Sequence, residues 1–418
     1  MLPIFPETGS GKPAFQEIAK APITVDKSDW PWWRGPNRDG KAPAGQKPPI
    51  SWSESENILW SAPLPGRGHG SPVVVGNRIF LVTADYETET QSVLCFNRIS
   101  GKRLWKTDVH EGGFTRGGHD KNNLGASTVA SDGRQIYVNF LNDEAVYTTA
   151  LSHDGDQLWQ TKISDFVIHQ GFGSSPAIHG SLVFVSADNK GGGAIAALER
   201  SSGKVVWRHE RPKLPNYTSP IILNTAGLDQ LILSGCDLIS SFDPPSGEKL
   251  WEINGSTTEV VTSAVTDGKL VFVSGGYPKR HVAAARADGS GEIIWEKNTG
   301  VYVPSMLVHE NHLFLVTDNG IAQCWKPDTG EEVWRGRLRG TFSSSPVLAG
   351  GMIYVTNEEG RTFVFEANTR EFKLLAENQL GDNVMATPTI CNSRIYMRVA
   401  EQEQGRRMER LYCISEGS

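Results

Sequence analysis

The sequence predicts an all-β chain folded as an eight-bladed β-propeller of four-stranded antiparallel blades. The ring is predicted to close through an N-terminal strand seated in the last blade. Three observations carry this. One motif with a fixed Gly–Trp spacing recurs along the chain, a strand-pair motif occurs eight times, and the two chain ends hold complementary fragments of one repeat.

The Gly–Trp motif is "CFNRISGKRLW" (95–105), "ALERSSGKVVW" (197–207), "SFDPPSGEKLW" (241–251), "ARADGSGEIIW" (285–295) and "CWKPDTGEEVW" (324–334), with "TALSHDGDQLW" (149–159) a looser copy. In all six a glycine stands four residues before the tryptophan. Glycine enters positive φ without steric cost, so the motif reads strand, tight turn, strand. The second motif opens "SPVVVGNRIFLVTAD" (71–85) and recurs as far as "TPTICNSRIYMRVA" (387–400): an apolar run, a polar turn, then an alternating strand. Each unit thus holds strands A to D in roughly 40–50 residues, the size of a propeller blade. The tryptophans at equivalent places read as wedges between blades rather than as ligand-stacking platforms.

The seventh unit, "EANTREFKLLAENQL", lacks both Gly and Trp. The eighth ends at "RLYCIS" (410–415), which is a strand C, while "NILWSAPL" (57–64) is a strand D with no A, B or C before it. Placing 57–64 in blade eight completes both fragments and pairs an otherwise exposed edge. Residues 1–28 are therefore expected as a flexible N-terminal segment, 29–56 as an aromatic strap and 57–415 as the propeller. The strap contains "DWPWWRGPNRDG" (29–40), which has no helical or strand period. Its aromatics are expected to pack on blade edges or cap one end of the channel, the other reading being a ligand role for Trp32, Trp33 or Arg34.

The net charge of −6 and the lack of a basic run exclude nucleic-acid binding by phosphate neutralisation. No stretch approaches the roughly 18–20 apolar residues of a membrane-spanning helix. The opening "MLPIFPETGSGKPAFQ" lacks the basic and long apolar regions of a signal peptide. The five cysteines form no CxxC and no adjacent pair, against zinc ribbons and thioredoxin-like sites. Cys95, Cys324 and Cys413 fall at equivalent strand-C places and read as small core residues.

The pattern A-x-[DE]-x-x-[TS]-G-x-x-x-W, clearest in "ALERSSGKVVW", resembles the pyrroloquinoline quinone (PQQ) repeat of quinoprotein-alcohol-dehydrogenase-like propellers. "DWPWWRGPNRDG" followed by "NILWSAPL" is similar to the lead-in of PQQ-like, BamB-like propellers common in planctomycete-type bacteria. The resemblance implies an extracytoplasmic location, periplasmic or secreted. Its dehydrogenases use an adjacent cysteine pair, a tryptophan platform, calcium ligands and an Asp base. This chain has no such cysteine pair and no matched acidic set, so neither PQQ nor calcium, nor another cofactor, is expected. Its nonenzymatic members are outer-membrane assembly lipoproteins that present the propeller to partner proteins, although no lipobox cysteine lies near this N-terminus. The expected function is a non-catalytic binding or scaffolding propeller, a monomer, holding a protein, peptide or small polar ligand at one channel mouth. The alternative is a divergent quinone- or metal-dependent oxidoreductase.

The loops before strand A crowd one mouth of a propeller channel. Those of blades one to three carry His69, His119 and His169, with Arg116, Asp120, Lys121 and Asn122, and later loops add Tyr217, Tyr302 and Asn383. Three readings stay open: a metal site, since His and Asp suit transition metals; a polar pocket for a sugar, carboxylate or peptide; and plain turn chemistry, since no HxxxH spacing is present. His153, His179, His209, His281, His309 and His312 fall at turns or strand ends and carry no functional assignment. "EQEQGRRMER" (401–410) reads as a solvated hairpin tip.

Overall fold

The structure, a computed structural model, describes residues 22–416. The signal-peptide expectation, and residues 1–21 of the N-terminal segment, lie outside the described residues. Among the described residues there is no helix, and the strands form eight four-stranded antiparallel sheets. Seven sheets run in chain order from an inner strand A to an outer strand D. They span 73–111, 130–165, 177–211, 221–254, 265–297, 307–337 and 347–379. The eighth takes three strands from 389–414 and its strand D from the N-terminal side, Ile58–Leu64. That strand pairs antiparallel with Arg406–Ile414, Trp60 opposite Cys413 and Leu64 opposite Glu409. Cys95 and Cys324 likewise stand opposite Trp105 and Trp334, and all five cysteines are buried and free.

The Gly–Trp motif turns out to couple neighbouring blades. The Trp105 indole donates to the His153 carbonyl of the next blade at 2.9 Å, and Trp159, Trp207, Trp295 and Trp334 do the same to Arg200, Pro244, Pro327 and Asn368. The motif glycine of the following blade makes room. A Cβ on Gly203 (φ +71°) would lie 2.4 Å from the Trp159 ring, and one on Gly247 (φ +73°) 2.5 Å from Trp207. So the glycine serves both the turn and the wedge. In blade seven, where Gly and Trp are absent, Phe372 packs on Trp334 at 5.5 Å between ring centroids. The seams are closed further by buried ion pairs. At the join of blades eight and one, Arg398 pairs with Glu409 at 2.6 Å and donates to the Val82 carbonyl at 2.5 Å.

Residues before strand D of blade eight cross the far end of the channel. Trp30 exchanges backbone hydrogen bonds with Val74, Ser131 N–H donates to the Pro31 carbonyl, and Ala42 N–H donates to Leu348. Arg34 is buried and its guanidinium donates to the Met306 carbonyl, while Arg38 donates to Ile178 and lies over the Trp32 ring at 4.3 Å. Gly40 (φ +75°) is required here, because a Cβ would lie 2.6 Å from Leu307 and 2.7 Å from the Arg34 guanidinium. Trp30, Trp32 and Trp52 are buried, and Trp33 turns toward the channel, its indole donating to Ser263 Oγ at 2.9 Å. Upstream of the strap, Thr24 N–H donates to the Asp132 carbonyl at 2.7 Å.

Candidate functional site: the channel mouth

Strand A is preceded in every blade by a Ser or Thr: Ser71, Thr128, Ser175, Ser219, Ser263, Ser305, Ser345 and Thr387. These residues form a circlet around the channel. The backbone N–H of one donates to the side-chain hydroxyl of the next, at 2.8–3.0 Å, from Ser71 to Thr128, Thr128 to Ser175, Ser175 to Ser219, Ser263 to Ser305, Ser305 to Ser345 and Ser345 to Thr387. At Ser263 the incoming donor is Trp33 instead. The strap thus forms the floor beneath the circlet. Above it, loops from all eight blades enclose a cavity of about 540 Å³ that opens at the other mouth.

Six of the ten sequence-nominated residues line this cavity: His69, His119, Lys121, Asn122, Tyr217 and Tyr302. Lys121 reaches from blade two to Glu358 of blade seven at 2.7 Å, across the mouth. Glu358 is held for it by Ser343 Oγ at 2.7 Å. The loop bearing Lys121 is pinned where His119 N–H donates to the Gln170 carbonyl at 2.7 Å. Asn122 packs on Gly171, where a Cβ would meet its side chain at 1.7 Å.

Four nominated residues stand outside the cavity lining. Arg116 is exposed and lies 3.7 Å from Glu89, beside a smaller recess of about 330 Å³. Asp120 is exposed. His169 turns to Glu259, Nε2 to Oε1 3.2 Å. Asn383, from the later loops, donates to the Glu358 carbonyl at 3.1 Å and accepts from Arg407 at 3.1 Å.

Two nominated residues, His169 and Tyr302, meet at a carboxylate that sequence reasoning did not single out. Glu259 is buried; His169 lies on one oxygen and Tyr302 donates to the other at 3.1 Å. Burial, then the Glu259 charge, raises the Tyr302 phenol above its ordinary value, and Tyr217 is raised by burial and the same carboxylate. Nothing local in "STTEVVTS" marks Glu259, because its partners come from three other blades. His69 is a neutral group: burial pushes its imidazole down to about 4, Glu409 opposes this and Arg398 and Arg407 add to it. Burial raises the Asp318 carboxyl, although it accepts the Tyr302 and Val303 backbone N–H groups at 2.9 and 3.0 Å. The carboxylates around the cavity are therefore each tied to protein donors. Among the described residues, no three His, Cys, Asp or Glu side chains gather as a metal-binding group, and no helix is long and apolar enough to cross a membrane.

The fold and repeat match known proteins. A family model described as "Outer membrane protein assembly factor BamB" matches residues 89–235, 235–322 and 278–374. The outer membrane protein assembly factor BamB of Yersinia pestis is 23% identical over 319 residues, covering 72% of this chain and 75% of that protein. The crystal structure of BamB from Moraxella catarrhalis superposes with a TM-score of 0.59 at 14% identity, over 85% of this chain and 96% of that one. A europium-containing methanol dehydrogenase superposes with a TM-score of 0.66 at 12% identity, over 96% and 99%; likeness at that identity carries the fold alone. The family model spans more than half of the sequence, and the chain belongs to the PQQ-repeat β-propeller family described as outer membrane protein assembly factor BamB.

Proposed function

We propose that this chain is a non-catalytic binding propeller that works outside the cytoplasm and receives a partner segment or small ligand at the mouth ringed by His69, His119, Lys121, Asn122, Tyr217 and Tyr302. The observation that carries the reading is the blind cavity of about 540 Å³ beneath those residues. It is concave and lined by apolar, aromatic and polar groups together, as binding sites generally are. The family membership supports a role in assembly through protein contacts. His119 is exposed on the rim loop, and Asn122 beside it is half-buried, its side chain lying against Gly171. Replacing both with Ala is expected to abolish capture of the partner from the native envelope and lower the melting temperature by no more than about 4 °C, since it removes one exposed side chain and one loop contact. Unchanged capture would refute the assignment.

The rival reading is a quinone- or metal-dependent oxidoreductase. The cavity does not offer the set such a cofactor needs: the five cysteines are buried and unpaired, and Asp318, Glu358 and Glu259 are each occupied by protein donors rather than aimed at one point. The protein supplied with PQQ and calcium is expected to show no alcohol-dependent dye reduction. Such activity would overturn the choice.

A further inference from the structure

The circlet has a donor–acceptor asymmetry. Thr128, Ser175, Ser219, Ser345 and Thr387 all line the cavity, and each hydroxyl oxygen already accepts a backbone N–H from the preceding blade. Among the described residues, none of the five donates its own O–H. A hydroxyl has one donor to place, and a buried donor without an acceptor costs free energy. The channel wall is thus a ring of unspent O–H donors whose acceptors must come from whatever fills the cavity.

The charges nearby restrict what that can be. Lys121 is the one cation lining the cavity among the described residues, and it is already paired with Glu358. Asp318 also lines it, and Glu259 stands behind Tyr302. The His69 imidazole is neutral at pH 7. A free anion would meet donors but also the Asp318 and Glu259 carboxylates, which hydrogen bonds from Tyr302 and Val303 hold without neutralising, and like charge disfavours it in a partly desolvated site. The wall also carries apolar and aromatic groups, with Trp33 as floor and Phe172, Val261, Phe342 and Met385 at the sides, beside the polar Asn122, Gln170 and Ser343.

We infer that the hydroxyl circlet is a specificity ring selecting an uncharged, carbonyl-bearing ligand, of which a capped apolar peptide segment is the representative. Its carbonyls accept from the ring and its apolar side chains face Trp33 and Phe342. The inference rests on the cavity being the binding site.

The test uses the full chain carrying Met385→Cys, a cavity thiol on a background of five buried cysteines. The rate of its reaction with a small maleimide is measured with three probes: acetyl-Leu-Ala-Ala-amide, the same peptide with a free carboxylate, and inorganic phosphate. The capped peptide is expected to slow labelling at least tenfold more, at equal concentration, than either anion. Thr387→Val should lose that protection and Thr387→Ser should keep it. Should Thr387→Val fail to fold, Ser219→Ala takes its place, and the probe ranking on the parent stands by itself. Better protection by the carboxylate peptide or phosphate overturns the ligand class and leaves the cavity as a binding site. Labelling unaffected by every probe overturns both.

Discussion

At the scale of single residues, the Gly–Trp pairs hold the blades together. Trp207 is buried, donates to Pro244 and lies under Gly247. Trp207→Ala is expected to cost about 3–5 kcal/mol, read by chemical denaturation, through lost packing and an unpaired carbonyl. A loss below about 1 kcal/mol would contradict the wedge role. His69 makes a separate prediction. Its folded value of about 4 lies below the ordinary 6.5, so the fold favours the neutral ring. The contribution is fully present above about pH 6.5 and is lost as the pH falls toward 4, where the folded protein also protonates; it is on the order of 3 kcal/mol at most. His110, lowered to about 4 by burial, acts in the same window. His69→Gln should therefore flatten the acid-side fall of stability by about one proton's slope without abolishing it. A stability–pH profile that keeps its full slope would refute this.

At the scale of elements, the strap and the closing strand were legible to different degrees. Strand 57–64 could be placed because the sequence has a strand D without a blade and a blade without a strand D. The path of 29–56 could not, because its partners, Val74, Ser131, Met306 and Leu348, belong to blades far apart in sequence. The same limit hid Glu259 and Glu358, whose roles arise only when His169, Tyr302 and Lys121 arrive from other blades. The circlet was visible as the repeated Ser/Thr before strand A, but the hydroxyls' use as acceptors depends on ring geometry. Deleting residues 29–64 removes a strand of blade eight and the channel floor, and the remainder is expected to show no cooperative unfolding transition. A truncated chain melting like the parent would refute ring closure. Gly40→Ala tests the strap more gently, with about 1–3 kcal/mol expected from overpacking against Leu307 and Arg34.

At the scale of the whole molecule, eight similar blades place their variable loops around one mouth, while the other end is covered by a segment that touches most of them. Stability and the proposed binding face are therefore separated: the blade seams are buried, and the rim is open to change. The Lys121–Glu358 pair spans that rim with Lys121 half-exposed, and such pairs contribute about 0–1 kcal/mol. The central claim, that the mouth is the binding face, is tested most directly by photo-crosslinking in the native envelope from two positions. One is His119 on the rim; the other is Ile99, 66% exposed on the turn between the third and fourth strands of blade one, away from the cavity. The account predicts a discrete adduct from position 119 and none from 99. An adduct from 99 with none from 119 would contradict it.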